Sequence, residues 1–96
     1  IEGAQTLLYF WRFYTMTGTV RLLTQDERKA LEPIEKSHGI TFSGGSCVTE
    51  NGKDTFWLNF DARMATFGTA LGQKVKDVLK ADELILSGPG YQEVLE

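Results

Sequence analysis

The sequence predicts a single α+β domain in the order βαββαβ, the ferredoxin-like arrangement, with an antiparallel sheet carrying two helices on one face. Three observations lead there. Asn51-Gly52 separates two runs of strand character, "ITFSGGSCV" and "TFWLNFD", and is the strongest short-range hairpin signal because a type I′ turn needs two positive φ values. Ahead of that hairpin, Thr24-Gln25-Asp26-Glu27 matches the capping box that opens a helix. After Asp61 the apolar period changes from two to about 3.6 residues, the mark of a helix behind a strand. The 96 residues fit one domain spanning 1–96 and leave no room for a second.

Taken in order, residues 5–15, "QTLLYFWRFYT", are rich in aromatics, contain no Gly or Pro, and read as the first strand. Gly18 can take a positive φ, so "VRLLT" is either a hairpin partner of that strand or its continuation past a bulge. The first helix starts at Gln25, with Asp26 and Glu27 at its positive end, and presents Ala30, Leu31 and Ile34 as a narrow apolar stripe. Pro33 removes a backbone donor and predicts a kink or a broken final turn, with Gly39 as the stop. Past the hairpin, Met64, Phe67, Leu71, Val75 and Val78 fall on one face of a helix over 62–80. Gly68 and Gly72 weaken that helix, by roughly 1 kcal/mol each relative to Ala, and predict a close approach to a sheet or another backbone. "ELILS" is the final strand, and "GPG" a tight turn before the tail "YQEVLE".

Composition narrows the function classes. A 42% hydrophobic and 24% charged chain is ordinary for a soluble globular domain. The net charge of −3 argues against a protein that holds nucleic acid mainly by neutralising phosphates. One cysteine, Cys47, excludes an internal disulfide and a multi-thiolate zinc site, and fits a cytoplasmic or other reducing compartment. No apolar run approaches the ~20 residues that span a bilayer, so no membrane partner is expected. The chain begins at Ile1, which reads as processing or excision from a longer polypeptide.

The residues that point to a function are aromatic. In the ferredoxin-like layout the first and third strands occupy the sheet centre, two helices cover one face and the other stays open. Phe56, Leu58 and Phe60 alternate with Thr55, Trp57 and Asn59, so the first set suits the core and Trp57 the open face. The first strand carries Leu7, Tyr9, Trp11 and Phe13 on one side and Leu8, Phe10, Arg12 and Tyr14 on the other. Whichever side points inward, several aromatics reach the open face, and with Trp57 they would form a larger apolar patch than a lone domain exposes, unless the first strand is two-sided core with residues 19–23 or the C-terminal tail folded over it. Tyr9, Trp11, Phe13 and Trp57 are the partner-binding candidates, for a second copy or another protein segment.

The alternative class is a single-stranded nucleic-acid binder. "KDTFWLNF" can be laid against the RNP1 pattern of RNA-recognition motifs. Lys53, Trp57, Leu58 and Phe60 fit it in kind; Asp54, Thr55 and Phe56 depart from it, and no family membership follows. On this reading Trp57 and either Tyr9 or Trp11 stack bases while Arg12 and Lys53 meet phosphates. An enzyme would need a nucleophile and a base, and Cys47 with His38 is the one reactive pair by type. Each has a structural reading: Cys47 as a small buried hydrophobe, His38 as a cation at a helix C-terminus, Gly44-Gly45 as a bulge. Carboxylates show no metal-ligand spacing, and no cofactor is expected. The expectation is a non-catalytic protein-interaction or assembly domain, oligomerising or regulatory, built on an aromatic sheet face.

Overall fold

A computed structural model of the chain describes residues 18–62 and 70–96, with the Ala62 side chain outside that description. The described elements are β1 (Thr19–Leu22), α1 (Gln25–His38), β2 (Ile40–Glu50), β3 (Lys53–Ala62), α2 (Leu71–Leu79), β4 (Glu83–Gly88) and β5 (Tyr91–Leu95). The five strands form one sheet in the order β1-β2-β3-β4-β5.

The start of α1 is a closed network. The Thr24 hydroxyl accepts the Glu27 N–H at 3.1 Å, and Glu27 accepts the Thr24 N–H at 2.8 Å, satisfying two of the orphan donors of the first turn. Arg21, on β1, then grips the same carboxylate through both terminal nitrogens, at 2.7 and 3.0 Å. Those contacts hold the Glu27 carboxyl below its ordinary value of 4.5, the Arg21 hydrogen bond contributing most. A depressed carboxyl adds stability that is fully present above pH 4.5 and is lost as pH falls through its folded value. Acidifying the wild type below pH 4.5 is therefore expected to lower its stability more than that of Glu27→Gln. At neutral pH that variant is expected to be less stable by about 0.5–1 kcal/mol, since the pair is partly exposed; urea titrations at pH 3 and 7 read both effects.

Leu31 and Ile34 are buried, while Ala30 lies exposed, off the stripe expected for it. Pro33 neither breaks the helix nor shortens its last turn. Both Pro33 and Lys29, whose carbonyl loses its partner, lie on the solvent side, where water can serve that carbonyl. Gly39 ends the helix in the left-handed conformation, φ 65°, donating its N–H to the Glu35 carbonyl. The carboxylate of Glu35 accepts the Phe42 N–H at 2.9 Å. Directly beyond Phe42 the register slips, Phe42 facing Phe60 and Gly44 facing Asn59, so that Ser43 is the extra residue of a bulge.

The hairpin expectation holds. Asn51 and Gly52 have φ 53° and 76°, as a type I′ turn requires, and Glu50 pairs with Lys53 across it. β1 adds antiparallel to the far half of β2, from Thr19↔Thr49 to Leu22↔Ser46. The intervening helix fits because β1 and α1 run on in one direction: its 14 residues rise about 21 Å, matching the roughly 20 Å of residues 40–45 returning beneath it.

Two features depart from the ferredoxin-like arrangement. That layout places the first strand between the hairpin's second strand and the last one. Here β3 pairs directly with β4, in parallel, from Thr55↔Glu83 to Asn59↔Ser87. The sheet is therefore mixed, no central position lies between them, and residues 5–15 lie outside the described residues. The second departure is the tail. Gly88 pairs with Tyr91 across Pro89-Gly90, and "YQEVL" forms β5, antiparallel to β4. Pro at the first turn position and a positive φ (69°) at Gly90 suit a type II turn.

Both helices cover one face, over a core of Leu31, Ile34, Leu71, Val75, Leu79, Phe42, Cys47, Phe56, Leu58, Phe60, Leu84 and Leu86. α2 buries Leu71, Val75 and Leu79, whereas Val78 is exposed: the stripe runs at spacing four, and Leu79 takes the place expected of Val78. Met64, Phe67 and Gly68 lie outside the described residues. Gly72 is the close approach foreseen for α2, and it is met by side chains rather than backbone. A Cβ there would stand 2.6 Å from Leu95 Cδ1 and 2.9 Å from the Glu93 carboxyl carbon.

Candidate interaction surface

Strand alternation assigns the second face. Phe56, Leu58 and Phe60 lie beneath the helices, and Lys53, Thr55, Trp57, Asn59 and Asp61 point the other way, as the sequence predicts. Register adds Val20 and Leu22 from β1, Ser46 and Val48 from β2, and Ile85 and Val94 beside Trp57 through β4 and β5. The centre of this face is apolar and closed: Val48 and Ile85 are each 1% exposed, though neither belongs to the core under the helices. Trp57 is half-buried, between Ser46 and Ile85. At the β1 end the character changes, for Val20 and Leu22 are 62% and 75% exposed. The sequence alone does not single out this exposed apolar pair. Its signal was present in the alternation Val20-Arg21-Leu22, but four residues are too few to fix which side is solvated.

The opposite side of β1 is tied down. Arg21 pairs across to Cys47, its guanidinium stands 5.7 Å from the Phe56 ring centre, and it holds Glu27. Glu27 raises the pKa of Arg21, so the cation persists at all ordinary pH. β1 is thus anchored through Arg21 while Val20 and Leu22 face outward.

The other end of the face is acidic. An open cavity of about 270 Å³ is lined by Lys53, Thr55, Asp82, Glu83 and Glu96. Glu83 is 6% exposed and accepts from the Thr55 hydroxyl at 3.4 Å. Asp82 accepts the Asp54 N–H at 2.8 Å and returns its own N–H to the Asp54 carbonyl, pinning the start of β4 to β3. Lys53 and Trp57 do share a face, about 13 Å apart along the strand, but Lys53 stands among carboxylates.

Tyr9, Trp11, Arg12 and Phe13 lie outside the described residues. Cys47 and His38 are not brought together. Cys47 is fully buried in β2, where desolvation pushes its thiol pKa up. His38 ends α1 beside Lys74, 3.5 Å away, and the seven residue steps from Ile40 to Cys47 span roughly 23 Å. Among the described residues no three His, Cys, Asp or Glu side chains cluster to hold a metal ion, and no helix is long and apolar enough to cross a membrane. No protein-family model, curated protein or solved structure matches the chain.

Proposed function

We propose that this chain is a non-catalytic interaction and assembly module whose contact surface is the β1 end of the sheet face opposite α1 and α2, and that its partner is a second copy of itself. One observation carries this reading: Val20 and Leu22 stand 62% and 75% exposed, adjacent on a strand whose other side is locked by Arg21. Among the described residues β1 is an edge strand. A two-fold contact between two such strands sets Val20 of each copy against Leu22 of the other, an apolar pairing that is self-complementary. Trp57 lies further in on the same face, half-buried where Val48 and Ile85 are already closed, and reaches the contact only at its exposed edge. The nucleic-acid alternative is less favoured because Lys53, its phosphate-contacting residue here, shares its cavity with Asp82, Glu83 and Glu96.

Sedimentation equilibrium of the full chain at micromolar concentration tests the proposal. The wild type is expected to run as a dimer or larger, and Leu22→Asp as a monomer with an unchanged circular dichroism spectrum. A wild type that stays monomeric at the highest soluble concentration overturns it. Binding of a single-stranded oligonucleotide that weakens steeply with salt would instead favour the alternative class.

A further inference from the structure

The hairpin turn that organises the sheet is also a reactive chemical group. We propose that Asn51 is a site of spontaneous covalent modification, its side chain cyclising onto the Gly52 backbone nitrogen and reopening to isoaspartate.

The structure presents both reactants. Asn51 and Gly52 are exposed, and the Asn51 carboxamide makes no hydrogen bond with a described residue. The Gly52 N–H lies between the closing pair Glu50↔Lys53 and takes part in no backbone hydrogen bond of the turn. Apart from the neighbouring residues Asn51 and Lys53, no atom stands within 4 Å of where a Gly52 side chain would begin, so the turn is open around the Gly52 Cα. Asn59, in the middle of β3 between Gly44 and Ser87, has the next residue's nitrogen held within the sheet.

The step balances without an outside oxidant or reductant. The Gly52 nitrogen, losing its proton to solvent base, forms a bond to the Asn51 side-chain carbonyl carbon. The bond from that carbon to the amide nitrogen breaks, and ammonia leaves. Water then adds to one of the two carbonyls of the five-membered imide. Opening at one gives aspartate, which tolerates the positive φ of the turn as asparagine does. Opening at the other gives isoaspartate, in which the main chain runs through the side-chain methylene. That product lengthens a two-residue loop whose length sets the register from Glu50↔Lys53 to Ile40↔Ala62. It also adds a negative charge beside Glu50 and Asp54. The turn becomes a timer on the age of the folded chain.

The test is tryptic mapping by mass spectrometry of the full chain, incubated folded at mildly alkaline pH, with the same chain in urea as reference. Peptide 37–53 carries Asn51 and peptide 54–63 carries Asn59. The folded sample is expected to convert peptide 37–53 to a product heavier by the difference between carboxyl and carboxamide. Isoaspartate should be identified by its separate retention time, with peptide 54–63 unchanged. Asn51→Asp should keep the unmodified protein's thermal midpoint, while the isoaspartate fraction melts lower. Conversion in urea but none in the folded chain, or none in either, overturns the proposal.

Discussion

Phe56→Ala is expected to lower folding stability by about 3–5 kcal/mol, whereas Trp57→Ser, one residue on, leaves the chain folded. Phe56 is 1% exposed under the helices, paired with Cys47 and Leu84 and stacked by Arg21. Its loss opens a cavity that a close-packed sheet and two helices cannot collapse around. Trp57 faces the other way, and its truncation is expected to weaken self-association by about 2 kcal/mol, on the order of thirtyfold. Urea unfolding and sedimentation together separate the two. Unfolding of Trp57→Ser would place Trp57 within the fold's own interior and remove it from the contact surface.

Gly88→Val is the second large effect expected. A Cβ at Gly88 would lie 2.4–2.7 Å from three atoms of the Phe60 ring. Phe60 is itself 3% exposed and braced edge-on by Tyr91, ring centres 5.7 Å apart at 64°. The ring has nowhere to go, so added volume forces β4 and β5 off the sheet, at a cost of about 1–3 kcal/mol or more. Tyr91 reports on this corner: burial, then the hydrogen bond it donates to Glu93, pushes its pKa up to about 12. In the variant its ionisation, followed by ultraviolet absorbance, should move back toward 10. A variant with wild-type stability and an unmoved tyrosine would mean that the ring repacks freely.

Local chemistry was what the sequence made legible. The capping box, the Gly39 stop and the Asn51-Gly52 turn are each decided within four residues, and each stands where the pattern put it. The inward set Phe56, Leu58 and Phe60 was equally readable, because strand alternation needs no knowledge of neighbours. Strand order was not. Pairing partners are chosen by burial across the whole sheet, and the ferredoxin-like order was one solution among several for the same elements. A signal did exist in "ELILS". Leu84 and Leu86 serve the helix side and Ile85 the other, all 1% exposed or less, and an uninterrupted apolar run is what a strand buried on both faces requires. Such strands often pair in parallel. The tail was harder, since Tyr91, Glu93 and Leu95 on one side of β5 alternate with Gln92 and Val94, and neither side is cleanly apolar. On the proposed contact surface, alternation alone put Trp57 on the face away from the helices, while the outward turn of Val20 and Leu22 became visible only once Arg21 was seen turned toward Glu27.

The direct pairing of β3 with β4 also governs how the sheet comes together in time. Two of its seams, β2–β3 and β4–β5, are each joined by a two-residue turn, and contacts so close in sequence form within about 1–10 μs. The β3–β4 seam joins residues 28 apart in sequence, and β1 reaches β2 across a similar distance, from Thr19 to Thr49. Those seams bear the larger loop-closure entropy and are expected to form after the two hairpins. During that wait the long central hairpin displays unpaired edges on both sides. Another chain at the same stage offers it the same kind of edge, so refolding yield is set by the race between intramolecular docking and encounter, and should fall as protein concentration rises.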